Sequence, residues 1–533
     1  MELLWDSVAG VLPAAVLISL CLLFLRLRPK RHLPPGPSPL PILGNLHQLP
    51  HEHQEEAFAR WSSVYGDLIN VKFLSKPALV INSMQAAQDL LVNRSGKYSE
   101  RPRFVFLDEM MNWGAILATN SSNELFRKYQ TWLRSTLQEK SALSRYRPLQ
   151  YRATSNLLSA LLNRPEAFTE HFKRFTGAIL MEIAYGHTVT SAEDPLLSFA
   201  EETLDYISSY GHPGAAVVDY FPLLKYIPSW MPGMGFKRYA NRVRRRVGQM
   251  LDAPFQEAAD SLLSEAMGNA TPSIAATLLE EAMSQGSLTP EHMTDIKGFC
   301  GMLLGAGVET TTAVLETFLL AMVMYPECFA KAQKEMDRIT EAERLPTLDD
   351  KESLPYLECI LKETYRWHTV VPLGKFVSTG TALLLSPSAI PHRNLVDDQY
   401  RGFDIAAGTI IIPNVWAMSQ DETVYPEPQV FRPERFETPD SHKNDPRKFA
   451  YGFGRRMCPG RHLAEANVWL AMAHMIATLE ITKALDATGR EIELQAAFAS
   501  GFTSHPKDFV CTIRPRSGAV TELVRQMGTI SQM

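Results

Sequence analysis

One cysteine stands in "AYGFGRRMCPGRH", residues 450–462, among glycines, arginines and a proline, while the other five lie in apolar or helical company. A thiolate is the ligand and nucleophile form of cysteine, and a glycine-rich loop can present one toward a bound group. Cys21, Cys300, Cys328, Cys359 and Cys511 read as small buried hydrophobes, with no C-x-x-C pair to suggest zinc or a disulfide framework. Glu309 and Thr310 are the second candidates: they follow Gly298, Gly301, Gly305 and Gly307 in otherwise apolar sequence, and each glycine costs up to about 1 kcal/mol in a helix interior. Close helix packing and a backbone-bonded threonine are one explanation. The other is a helix locally opened beside a cavity, where a hydroxyl and a carboxylate handle protons. A third set is Glu363 and Arg366, three apart on one helix face, followed by Arg435 in the Pro-rich "YPEPQVFRPERF". By spacing alone Glu363 and Arg366 would be a surface ion pair of small value.

These residues need long elements to hold them. "TPEHMTDIKGFCGMLLGAGVETTTAVLETFLLAMVMY" predicts one very long helix with Thr289 as N-cap, Pro290 at its first position and Pro326 beyond its end. It is apolar on nearly all faces after Ile296, as expected of a central buried helix. A second helix begins near Pro355 and ends before Pro372, and residues 68–82 predict two short strands around a turn. The expected fold is mainly α with small β-sheets, in a single large domain over 46–533 without repeats or a second linker. With 533 residues, 45% hydrophobic, and a formal net charge of -5, the chain can bury a large core and has no basic bias toward nucleic acid.

The N-terminus differs. Val8 to Leu25 is uncharged and as a helix would span roughly 27 Å, enough for a bilayer core. Glu2 and Asp6 precede it, and Arg26, Arg28, Lys30 and Arg31 follow, so residues 1–30 are expected to be an uncleaved single-pass anchor with the bulk of the chain in the cytosol. Residues 31–45, which include "LPPGPSPLPILGN", form a stiff Pro-rich hinge. That topology leaves the sequons at Asn93, Asn120 and Asn269 unused.

Four motifs in this order resemble the cytochrome P-450 haem-thiolate monooxygenases over essentially the whole length. F-x-x-G-x-R-x-C-x-G is met by Tyr451, Gly454, Arg456, Cys458 and Gly460, with Tyr in place of Phe; A-G-x-[DE]-T-[TS] by Ala306 to Thr311; E-x-x-R by Glu363 and Arg366; P-E-R-F by Pro433 to Phe436. The "GFTSHPKDF" turn and the "YRPLQ" that begins at Tyr146 look most like fungal, basidiomycete-type microsomal members. The resemblance implies haem b, with Cys458 as axial ligand of the iron, Arg456 and His392 on its propionates, Gly454 and Gly460 letting the backbone turn beneath it, and Tyr451 near the sulfur. It implies that Glu363, Arg366 and Arg435 brace the loop as a buried cluster, and that Thr310 and Glu309 deliver the protons that activate dioxygen. Electrons would come from NADPH through a separate cytochrome reductase flavoprotein on the endoplasmic reticulum membrane, since the chain has no flavin- or dinucleotide-binding glycine motif.

The expected reaction is hydroxylation of a lipophilic small molecule, because the family's substrate-contact segments here, "RFVFLDEMMNWGAIL" and "ASGFTSH", are apolar and aromatic. A fungal terpenoid or polyketide is preferred by resemblance. The alternatives are a reductase-independent haem-thiolate isomerase or dehydratase and an inactive or haem-binding-only relative. Two departures stand out. Phe126 and Gln130 occupy the family's W-x-x-x-R, which removes one propionate contact. Between Pro372-Leu373 and Pro391-His392-Arg393, where relatives run almost directly through, residues 375–389 are inserted. Gly374-Lys375-Phe376 can be encoded with a splice-donor-like GTAAGT and Ser388-Ala389 with an acceptor-like TCAG, so the insertion is expected to be either a retained intron or a loop bulging outward.

Overall fold

The hairpin over residues 68–82 forms as β1 (Leu68–Phe73) and β2 (Lys76–Ile81), antiparallel with Leu68 opposite Ile81. In this computed structural model the described residues are 31–518, 522 and 524, apart from 114–123, 192, 209–214, 265–271, 342, 374–375, 380–381, 388–390, 439–441 and 502. The expected membrane helix Val8 to Leu25, the sequons at Asn120 and Asn269, and both ends of the insertion lie outside them.

Helices dominate the chain beyond β2: α1 (Glu124–Leu133), α2 (Phe168–Tyr185), α3 (Pro195–Ser208), the short α4 (Ala215–Tyr220), then α5 (Pro290–Met324). α5 starts as its sequence predicts: the Thr289 hydroxyl accepts from the His292 N–H at 3.1 Å and Pro290 takes the first position. Most of its faces are buried, and it is the spine of the main apolar core. Among the described residues it is the one helix long and apolar enough to cross a membrane, but 78% of its most apolar window is inside the domain.

Of the two explanations for the glycines near Thr310, the local opening is not seen; α5 runs unbroken from Pro290 to Met324. Two of its glycines have a packing reason instead. A Cβ on Gly307 would lie 2.6 Å from Leu180 Cδ1 of α2, and one on Gly305 would lie 3.2 Å from the Trp113 ring, so glycine lets these neighbours approach.

α6 (Pro355–Trp367) ends just before the insertion, whose backbone folds as β3 (Phe376–Thr379) and β4 (Ala382–Pro387). β5 (His392–Arg393) and β6 (Ile410–Pro413) complete a sheet of order β1-β2-β6-β5. In it Leu79 of β2 and His392 of β5 flank Ile411 of β6, parallel on one side and antiparallel on the other. Phe58, Ile69, Phe73 and Ile412 form a smaller core against this sheet. α7 (Arg461–Thr478) follows the cysteine loop directly and packs its apolar residues into the main core.

Candidate functional site

Cys458 lies three residues before the first residue of α7, in a loop tied to itself by its own N–H, which donates to the Tyr451 carbonyl at 2.8 Å. Gly454 turns this loop at φ +58, and a Cβ there would sit 2.0 Å from the Leu91 carbonyl oxygen, so only glycine fits. Gly460 is different. Its φ is an ordinary -84, and a Cβ would meet no protein atom within 4 Å; its open side borders a cavity. Burial pushes the Cys458 thiol up, while hydrogen bonds from the Gly460 and Arg461 N–H groups pull it down. Those N–H groups are at the N-terminus of α7, whose dipole favours negative charge on the sulfur. The hydroxyl of Tyr451 bonds to that of Tyr365 on α6 at 2.7 Å, so the extra oxygen that replaces the family's Phe is engaged by another phenol.

The cavity, about 780 Å³, separates this loop from α5. Its opposite wall includes Ala306, Glu309 and Thr310. The Thr310 hydroxyl donates to the Ala306 carbonyl at 2.9 Å, the back-bonded geometry common for threonine in a helix. Glu309 has two cationic neighbours: Lys173 Nζ of α2 is 3.4 Å from Oε1 and His505 Nε2 is 3.1 Å from Oε2. Burial alone would push Glu309 up; these partners outweigh it and hold the carboxyl below its ordinary range.

At the edge of the cavity three basic side chains converge, Arg101, His392 and Arg456. Arg456 Nε donates to the Ser99 carbonyl at 2.9 Å and its guanidinium lies 3.7 Å from the Phe126 ring centroid. His392 Nδ1 donates to the Tyr98 carbonyl at 2.8 Å; burial, then Arg101, hold the ring far below its ordinary value and therefore neutral. Burial, then the charge of Arg456, lower Arg101 too. One carboxylate, Glu100, faces both guanidiniums, so this edge has room for further negative charge. Gln130 lines the same cavity, and so does Arg134 one turn further along. Neither Arg101 nor Arg134 stands in a recognisable motif; the only signal for Arg101 is its place two residues ahead of the apolar segment "RFVFLDEMMNW", which begins at Arg103. A flat iron-bearing group with acidic substituents at one edge fits this arrangement: a half-buried sulfur under N–H donors, a cradle open above Gly460, and a basic edge.

Beneath the loop, Glu363 and Arg366 are both fully buried, which spacing alone did not predict. Arg366 grips the Glu363 carboxylate with two bonds of 2.8 and 2.7 Å, and Arg435 Nε adds a third at 3.1 Å. The remaining guanidinium donors reach carbonyls of Pro426, Pro428 and Val430, so the cluster pins the irregular chain ahead of the cysteine loop.

A family model described as cytochrome P450 matches residues 34–511. The chain is 44% identical to "Cytochrome P450 monooxygenase 176" of Postia placenta over 94% of each chain. It is 42% identical to "Cytochrome P450 monooxygenase 136" of the same fungus, covering 93% of this chain and 91% of the relative. It is 36% identical to "Cytochrome P450 monooxygenase claR" of Ampulloclitocybe clavipes, covering 96% and 92%.

Proposed function

The chain belongs to the cytochrome P450 family and is a monooxygenase with a haem-iron cofactor, and from that premise we propose that Cys458 ligates the iron of haem b in an enzyme that hydroxylates a lipophilic fungal metabolite, a terpenoid or polyketide. The observation that carries it is Cys458 on one wall of the cavity with Glu309 and Thr310 on the other. Bound there, a thiolate-ligated haem supplies dioxygen activation and insertion of one oxygen atom into a C–H bond.

The chain's own residues do the rest. Gly460, Arg461 and the start of α7 favour negative charge on the sulfur against burial, which holds the thiol up until it ligates the iron, while Arg101, Arg456 and His392 hold the propionates. The neutral His392 has its proton on Nδ1, so its Nε2 becomes a donor only once an acidic neighbour draws a proton onto it. Glu309 and Thr310 pass protons to the cavity at the threonine hydroxyl. Phe104, Phe106, Leu107, Trp113 and Leu180 give the substrate side an apolar surface that excludes water.

Electrons are supplied by an NADPH-dependent flavoprotein reductase, and the enzyme sits on the endoplasmic reticulum membrane by a single N-terminal span. Phe221, Leu223, Tyr226 and Trp230, beside α4, are exposed apolar side chains, as suits a face that meets lipid and admits apolar substrates. The full chain, in microsomes with a fungal reductase and NADPH, should convert apolar candidates to products carrying one atom of labelled dioxygen. Product without label would remove the monooxygenase assignment for that substrate.

A further inference from the structure

His505 belongs to the C-terminal loop, far along the chain from α5, yet its imidazole is wedged between two carboxylates of that helix. Nδ1 is 2.7 Å from Glu316 Oε2, and Nε2 is 3.1 Å from Glu309 Oε2, off the axis of a straight hydrogen bond. Glu309 and Glu316 are seven apart, two helical turns, and so lie on one face. Glu316 is buried, and a buried carboxylate with no cation beside it is costly. Among the described residues the groups that face His505 are these two carboxylates and His368, which burial lowers to about 4 and so leaves neutral. Across Glu309 stand Lys173 of α2 and, beyond it, Asp205 and Glu201 of α3. Burial works against charge on His505, but its contacts with Glu309 and Glu316 raise it to about 9.

We infer that His505 is a positioning residue for proton delivery: as an imidazolium anchored on Glu316, it ties down one oxygen of Glu309 while Lys173 ties the other, and so aims the carboxylate that serves Thr310. The loop it comes from is itself part of the cavity wall, since Thr503 lines the cavity and the Ser504 N–H donates to the Val370 carbonyl at 2.8 Å. His505 therefore links a substrate-facing loop to the proton-delivering helix. The inference rests on Glu309 and Thr310 being the proton-delivery pair.

The sign with pH comes from the raised value. Charge on His505 is complete below about 6.5 and lost as pH rises through about 9, so the clamp fails on the alkaline side. The test uses the full-length holoenzyme in membranes with its reductase, NADPH and dissolved oxygen, and no added substrate. Oxygen then leaves as hydrogen peroxide after two electrons and two protons, or as water after four of each, and the ratio of peroxide to NADPH reports how well protons arrive. For wild type the ratio should rise as pH passes about 9. His505→Gln should show a several-fold higher ratio at neutral pH and no step near 9, with an intact reduced carbon monoxide band. Glu316→Gln, which keeps the imidazole but removes one of its carboxylates, should move the step to lower pH. A flat wild-type profile, or a His505→Gln profile matching wild type, overturns the inference. If His505→Gln lacks the band, an unmoved step in Glu316→Gln overturns it alone. Failure of the underlying assignment is read separately, from a Thr310→Ala ratio equal to that of wild type.

Discussion

At Cys458 two opposed effects meet on one sulfur: burial favours the neutral thiol, and the Gly460 and Arg461 N–H groups favour the thiolate. Cys458→Ser should therefore abolish the characteristic absorbance band of the reduced carbon monoxide complex. Cys359→Ser, in α6 and away from the cavity, should leave it; an unchanged band in the first variant removes Cys458 as the ligand. Thr310 supplies a second case. Its one hydrogen bond, to Ala306, is worth about 1 kcal/mol, so Thr310→Ala should fold and bind substrate. The same variant should divert most NADPH electrons to peroxide, measured as peroxide released per NADPH; unchanged coupling would make Thr310 a packing residue. Cys458, Thr310 and Arg456 were legible in the sequence because each stands in a short motif of fixed spacing. His505 and Arg101 were not, because what gives them meaning is a neighbour far away along the chain: His505 meets a glutamate 189 residues before it.

Element ends were legible where local chemistry decides them, as with the Thr289 cap and Pro290 of α5 and the strands β1 and β2. Two features of the elements were legible only in part. The sequence offered close packing or a local opening for the glycines of α5, and Leu180 and Trp113, contributed by other segments, decide for packing at Gly307 and Gly305. By spacing alone Glu363 and Arg366 looked like a surface pair, and only the family resemblance implied a buried cluster, because three-residue spacing says nothing about what covers them. The cover is an irregular segment that offers carbonyls of Pro428 and Val430 to the guanidinium, and it has no periodic signal. Removing one partner of such a pair leaves a buried charge without compensation, at a cost of roughly 3–5 kcal/mol. Arg366→Ala should accordingly lose stability of that order in urea unfolding and bind haem poorly. A loss below about 1 kcal/mol would show that Arg435 and the backbone N–H of Arg432 satisfy Glu363 without it.

For the whole molecule, the proposed N-terminal anchor and the insertion set the tests. Deleting residues 2–28 should shift the protein from the membrane fraction toward the soluble fraction without loss of the carbon monoxide band. Tight association that persists would assign membrane binding to the exposed apolar side chains around Trp230. The insertion asks more. Its flanks, Leu373 and His392, are both buried and both line the cavity, so the inserted chain leaves and re-enters at the wall of the site. Yet among the described strands β3 and β4 pair only with each other, and the four-stranded sheet closes through β5 and β6 without them. Length alone is no obstacle, since loop closure costs grow only logarithmically. What the insertion disturbs is position: β5 keeps two paired residues, His392 and Arg393, and His392 faces the basic edge of the cavity. Excision joining Leu373 to Ala389 would leave Pro-Leu-Ala-Ile-Pro-His-Arg, with every β1, β2, β5 and β6 pairing retained. Read as a retained intron, the insertion should weaken haem retention and turnover in the 533-residue chain, and the spliced form should be the active hydroxylase. Expressing both forms and comparing haem content, together with sequencing of transcripts, decides the matter. Transcripts that keep the segment throughout, with a long form fully loaded and active, make it a true hairpin of this lineage.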